Sequence, residues 1–374
     1  MNVAEPAAER AWLTLIRAPG IGATGGVGLI ERFGSPRALL QAGQSAWREA
    51  GLSEAARAWL SAPDGARLDH DQRWLQEPDH HLVTCRAAAF PARLREIARA
   101  PLALFVIGDP QVLAMPQLAI VGSRNPTRDG QQQSHDFARA LAGSGLVIAS
   151  GLALGIDAAA HRGALAADGV SLAVCGTGLD RVYPARHREL AHAIAEQGAL
   201  VSEFPPGTPA RPHHFPQRNR ILSGLSLGVL VVEAARRSGS LITARMAMEQ
   251  GREVFAMPGS LHNPLARGCH RLIRDGAKLV ECADDVLEEL APLLGDEVGA
   301  APAEKTEPAA AEGDFGGDPD YRRLLDALAG GPKGVDELVD NTELTPEAVS
   351  SMLLTLELQG WVAPAPGGAY VRLK

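Results

Sequence analysis

The stretch Leu118-Ala119-Ile120-Val121-Gly122-Ser123-Arg124-Asn125-Pro126-Thr127 opens as an unbroken apolar run and stops at small, turn-forming residues. Apolar residues without alternation read as a strand buried on both faces, and the helical spacing of 128–143 makes the unit strand, turn, helix. The unit recurs. Outward from it lie further apolar runs at 102–107, 146–149, 171–174, 200–201, 227–232 and 253–256, separated by helical stretches such as 155–167, 186–197 and 240–250. Alternation of this kind predicts an α/β fold whose core is an extended, Rossmann-like parallel sheet covered on both faces.

The flanks differ in pattern. Trp12, Leu13, Leu15 and Ile16 recur at helical spacing, Pro19-Gly20-Ile21-Gly22 breaks the run, and Ser35 before Pro36 suits an N-cap with proline at the first helical position. The break reads either as a helix-hairpin-helix turn that could hold a phosphate or as a plain packing contact between two helices. Beyond the sheet, Ala, Pro, Gly and Glu without periodicity predict a flexible acidic linker. The last segment resumes order, with three helices (Met352, Leu353 and Leu356 on one face of the third) and a hairpin of 361–363 with 369–371 around Pro-Ala-Pro-Gly-Gly. The predicted layout is a small helical N-terminal domain at 1–65, the core at 66–291, the linker at 292–318 and a C-terminal winged helix at 319–374.

Composition bounds the function. A chain of 374 residues, 46% apolar and 21% charged, has ample material for a buried core, which excludes disordered and fibrous classes. A net charge of −8 argues against a general nucleic-acid binder, but the average is uneven. Residues 281–320 hold thirteen acids against Lys305, a local net of −12 that leaves +4 for the rest. Residues 201–275 hold ten arginines against five acids. Cys85, Cys175, Cys269 and Cys282 form no metal-ligand spacing and read as buried thiols of a reducing compartment. With no leader pattern and no long apolar run, a cytoplasmic protein without membrane contact is expected.

The turn after 118–121 lacks the G-x-G-x-x-G and later acid of a dinucleotide site. Gly122, Ser123 and Arg124 can still hold a phosphate through free N–H groups, a hydroxyl and a guanidinium, unless Arg124 is a surface ion pair. Two more glycine-rich turns, 150–157 and 175–180, follow strands, so three loops are expected to meet in one groove. Asp157 and His161, four apart, read as an acid–base pair or, more simply, as a helix-capping Asp and the His it satisfies. His213-His214-Phe215-Pro216-Gln217-Arg218-Asn219-Arg220 is dense in stacking and phosphate-contacting groups for a chain with 4% aromatics. A base on Phe215 with its phosphate on Arg218 or Arg220 is what single-strand binding requires. The competing reading has Phe215 in the core and an arginine paired with Glu203 or Glu233. Ser238-Gly239-Ser240, ahead of a helix bearing Thr243, is another anion site of the same type.

Taken together, Gly122-Ser123-Arg124, Ser150-Gly151-Leu152-Ala153 through Gly155-Ile156-Asp157 with Ala160-His161, and Phe215-Pro216-Gln217-Arg218-Asn219-Arg220-Ile221 resemble the DNA-processing protein A (DprA/Smf) family. The match continues through Val231-Val232-Glu233-Ala234, Ser238-Gly239-Ser240-Leu241-Ile242-Thr243-Ala244 and Gly251-Arg252-Glu253-Val254-Phe255-Ala256-Met257-Pro258-Gly259. The resemblance implies a non-enzymatic dimer, without cofactor or metal, that binds and protects single-stranded DNA in natural transformation and loads the RecA recombinase onto it. It assigns phosphate contact to Arg124, base stacking to Phe215, and the groove lining or its support to Arg218, Asn219 and Arg220. Gly122, Ser123, Gly151 and Ser240 supply backbone or hydroxyl contacts. A lysine common in the family before the stacking Phe is absent, and Arg211 stands in for it one residue out of register. The dimer contact is expected near Leu272 and Ile273.

Two other functional classes compete with this reading. A nucleotide enzyme of the phosphoribohydrolase type would carry Pro-Gly-Gly-x-Gly-Thr, whereas the nearest tract here is Phe204-Pro205-Pro206-Gly207-Thr208. A transcription regulator would read DNA through the third helix of the winged helix, 345–359, which has Glu347 and Glu357 and no Lys or Arg.

Overall fold

The structure, a computed structural model, describes residues 6–294, 319–329, 331–342, 344–358, 361–365 and 369–373. The chain divides into two compact units, 1–299 and 300–374.

The first unit is built on nine strands: β1 (His80–Thr84), β2 (Ala103–Gly108), β3 (Gln117–Val121), β4 (Val147–Ser150), β5 (Ser171–Val174), β6 (Ala199–Ser202), β7 (Gly228–Val231), β8 (Glu253–Ala256) and β9 (Lys278–Leu279). Their order is β1-β2-β6-β5-β4-β3-β7-β8-β9. From β6 to β9 every pairing is parallel, as expected, while β2 pairs antiparallel with β6 and β1 antiparallel with β2. The sheet is therefore mixed at one edge. The strand expected at 118–121 is the middle one of the seven parallel strands: Leu118 and Ile120 point into a core with Phe137, Leu141 and Ile156, and Ala119 and Val121 into the opposite core with Ile221, Leu222 and Leu225. Burial of both faces is why that run shows no polar alternation.

The helices Pro6–Ile16, Ala23–Phe33, Pro36–Glu49, Glu54–Ser61 and Gly65–Leu75 precede the sheet. The Ser35 hydroxyl caps the third by accepting from the Ala38 amide. Leu13, Leu68 and Trp74 pack in one core with Phe105, Ile194 and Leu200 of the sheet layer. Arg17 adds a polar tie, donating to the buried Asp71 carboxylate and, at 2.8 Å, to the Pro206 carbonyl.

Two expectations change. The helix Ala283–Leu294 runs into the start of the predicted linker; residues 295–318 lie outside the described residues. Of the cysteines, all free, Cys269 is buried, Cys85 and Cys175 are partly buried, and Cys282, just ahead of that helix, is exposed.

The second unit contains the helices Pro319–Leu328, Val335–Thr342 and Pro346–Leu358 and the strands β10 (Lys333–Gly334), β11 (Val362–Ala365) and β12 (Ala369–Arg372) in the order β10-β12-β11. Leu324, Leu328, Leu338, Val349, Leu353 and Leu356 form its core, the three-helix and hairpin arrangement of a winged helix. Residues 366–368 of the expected hairpin turn lie outside the described residues.

Candidate nucleic-acid interface

Strand order reverses at β3, whose neighbours β4 and β7 lead away in opposite directions. Loops leaving the carboxyl ends of β3 and β7 must diverge there, and a crevice opens between them. A cleft of about 630 Å3 occupies this point, lined from the β3 turn by Gly122, Ser123 and Arg124 and from the β7 side by Ser238, Gly239, Ser240 and Thr243.

The helix His214–Leu225 forms the floor and one wall. Its 3.6-residue period puts Phe215, Asn219 and Leu222 along the cleft and His214, Arg218, Ile221 and Leu225 on its buried side. Arg218 lies between the two, buried yet reaching the cleft lining. The Phe215 ring is half-buried, with the exposed Arg124 guanidinium carbon 5.7 Å from its centroid and the exposed Tyr183 ring 5.4 Å away. Arg124 has no hydrogen bond or ion pair with any described residue, so its charge stands unneutralised at the cleft. The glycine-rich turn at 175–180 contributes from beneath: a Cβ at Gly176 would press on Phe215 Cδ1 at 3.0 Å.

Buried polar ties fix the loops. Glu233, after β7, accepts from the Thr127 amide at 2.9 Å, the Thr127 hydroxyl at 2.8 Å and the Asn263 amide nitrogen at 3.0 Å, joining the two loops that flank the crevice. Asp157 accepts from the Gly151 and Ala153 amides at 3.1 and 3.3 Å and shapes the β4 turn. Burial raises its carboxyl above the ordinary range, opposed by the Arg218 charge and these amides. Arg218 donates to the Val174 carbonyl, and burial lowers its pKa against the pull of Asp157. His161 donates from Nδ1 to the Ser171 hydroxyl, 2.8 Å away, which itself donates to the Ile148 carbonyl. Burial first, then the nearby positive charges, push His161 down to about 3, so it is neutral at physiological pH.

Such a cleft, with a guanidinium that has no ion pair, two neighbouring rings tilted to each other and hydroxyls at a helix start, suits a chain of phosphates and bases. Residues 81–291 match the family model of DNA recombination-mediator protein A, and 301–368 that of the DprA winged helix domain. The chain belongs to the DprA/Smf family. It is 44% identical over 327 residues to Protein Smf of Escherichia coli, spanning 85% of this chain and 84% of that protein. It is 48% identical over 200 residues to DNA processing protein DprA of Streptococcus pneumoniae, spanning 54% of this chain and 71% of that one. Among solved structures, that of Streptococcus pneumoniae DprA aligns with a TM-score of 0.67 and 37% identity over 75% of this chain and 97% of its own. The structure of Helicobacter pylori DprA, which concerns its single-stranded DNA binding mode, aligns with a TM-score of 0.52 and 29% identity over 57% and 96%.

On this DprA scaffold the cleft brings together Gly122, Ser123, Arg124, Phe215, Arg218, Asn219 and Ser240 from the sequence-derived set. Three others stand elsewhere. Gly151 lies under Arg218, where a Cβ would overlap the guanidinium, so it acts by making room and not by contact. Arg220 is withdrawn from the groove: it is buried and ion-paired with Glu203, one of the two carboxylates weighed for it. Arg211 is exposed but outside the lining, and Pro212 occupies the wall position. Leu272, expected near a dimer contact, is 6% exposed and packed in the core; the exposed apolar side chains beside it are Ile242 and Met248. Tyr183 was not singled out in the sequence. As one of three tyrosines, shortly after a glycine-rich strand end, it offered a weak signal.

Proposed function

We propose that the protein is a single-stranded-DNA-binding recombination mediator that protects incoming DNA during natural transformation and loads RecA onto it, acting in the cytoplasm and without catalysis. The observation that carries this reading is the Arg124 guanidinium, without an ion pair among the described residues, set beside the half-buried Phe215 ring in the cleft. A cation for the phosphate beside a ring for the base is sequence-tolerant recognition of a single strand. A rigid duplex would keep its bases stacked on one another and offer no free ring face. The groups that could serve as acid and base are otherwise engaged, Asp157 by backbone amides and His161 by Ser171, which supports binding without turnover.

The same reading treats residues 1–65, packed on the sheet unit, and 319–374 as accessory to the cleft. Self-association is assigned to the face of the helices Ser240–Glu249 and Arg267–Arg274, where Ile242 and Met248 are 42% and 44% exposed around a hollow of about 290 Å3. Among the described residues no helix is long and apolar enough to cross a membrane.

The reading is tested by titrating labelled single- and double-stranded oligonucleotides with the full chain at two salt concentrations, with nucleoside monophosphates as competitors. Preference for the single strand and weak competition are expected. Equal affinity for the duplex, or displacement by a monophosphate, would overturn it.

A further inference from the structure

A second concavity, of about 320 Å3, lies over the first turns of the helices Arg128–Gly143 and Ile156–Ala166 and is lined by Arg128, Gln131, Gln132, His135, Ala159 and Arg162. Arg128 and Arg162 are exposed, and neither has a hydrogen bond or ion pair with any described residue. They come from different helices and share one hollow. The acids nearest in sequence do not answer them: Asp129 makes no ion pair with either, and Asp136 is bonded by Gln132 and by His135 at 3.0 and 3.1 Å. Two like charges placed together without a carboxylate repel each other in the free protein. An anion supplied from outside removes that repulsion, and a guanidinium presents its donors in the fork that phosphate oxygens accept.

Position selects the anion. Both helices begin at the carboxyl ends of β3 and β4, the edge on which the cleft opens, and Arg128 directly follows Thr127, which closes the cleft's β3 turn and caps this helix. No Phe, Tyr or Trp side chain lines the hollow, and its one ring, His135, is bonded to Asp136, so the hollow favours contacts to backbone over stacking. We infer that Arg128 and Arg162 form a second phosphate subsite for the same strand, holding its sugar-phosphate backbone where it leaves the cleft past residues 122–127. This rests on the single-strand reading of the cleft.

The test uses the full chain with Arg128→Gln and Arg162→Gln combined, two exposed changes whose fold is checked by an unchanged melting temperature. Binding is followed by fluorescence anisotropy across a salt series with oligothymidines of roughly six and roughly twenty-five nucleotides, one near the short end of single-strand site sizes and one beyond it. With the long strand, the plot of log affinity against log salt should become shallower by about 1.4, two contacts at about 0.7 each. With the short strand it should not change. An unchanged long-strand slope overturns the subsite. So does an equal loss on both lengths, which marks a general field or a free-anion site indifferent to strand length. Arg124→Gln separates the two readings: if it weakens neither oligonucleotide the cleft reading fails, whereas an unaltered long-strand slope in the double variant refutes the second subsite alone.

Discussion

The Arg124 guanidinium lies 5.7 Å from the centroid of the Phe215 ring, joining a turn after β3 to a helix ninety residues later. A cation held over a ring at an exposed site gains about 0.5–1 kcal/mol, enough to bias the side chain without locking it. On the proposed reading, the group that would meet a phosphate is thus positioned by the group that would meet a base. Removing the ring acts on both.

Phe215→Ala should weaken single-strand binding by roughly 1–3 kcal/mol, the range for loss of one stacked base. The ring is half-buried, so thermal unfolding should show a folded variant. Unchanged affinity would remove Phe215 from the interface.

Tyr183→Ala should weaken binding by about 1 kcal/mol with no fall in melting temperature, since this ring is 52% exposed and borders the cleft. Tyr183→Phe should restore the affinity, because stacking needs the ring and not the hydroxyl. Failure of that rescue would assign the residue a polar contact.

Arg124 and Arg220 should separate cleanly. Arg124→Gln should shallow the salt dependence by about 0.7 and leave stability alone. Arg220→Met leaves Glu203 without its buried partner and should cost on the order of 3 kcal/mol in urea unfolding, with the salt slope of the folded protein unchanged. The opposite pattern would return Arg220 to the groove.

These contrasts show which features were legible in the sequence. The β3 run and its turn announced the central strand because burial on both faces removes alternation. His80–Thr84 did not, since an edge strand opening with two histidines carries no such signature, and the two-residue β9 is too short to leave one. Arg124 and Phe215 were readable as residue types. The inward side of Arg218 was readable too, in principle: it shares a helical stripe with His214, Ile221 and Leu225, a period that the density of charge in that segment obscured. The Arg220–Glu203 pair was present as an alternative, but choosing it needs the tertiary contact between helix and β6 loop. Tyr183 reaches Phe215 through folding alone.

Acid sensitivity should carry a component from His161. Its folded pKa, about 3, lies below the ordinary 6.5, so the unfolded chain takes up a proton that the native state refuses. The stabilisation is complete above pH 6.5 and declines by about 1.4 kcal/mol per unit as pH falls toward 3. Urea unfolding at pH 7 and pH 5 should show a smaller loss in His161→Asn than in the parent protein. Equal losses would mean His161 is protonated in the fold.

The most direct test of the account is photocrosslinking of a single strand carrying 5-iododeoxyuridine to the full chain, followed by peptide mapping, because the iodinated base reacts with the ring it stacks on. The account predicts crosslinks in the segment containing Phe215, with a second at Tyr183, both abolished by excess unlabelled strand. Crosslinks confined to 319–374, with none at either ring, would contradict it.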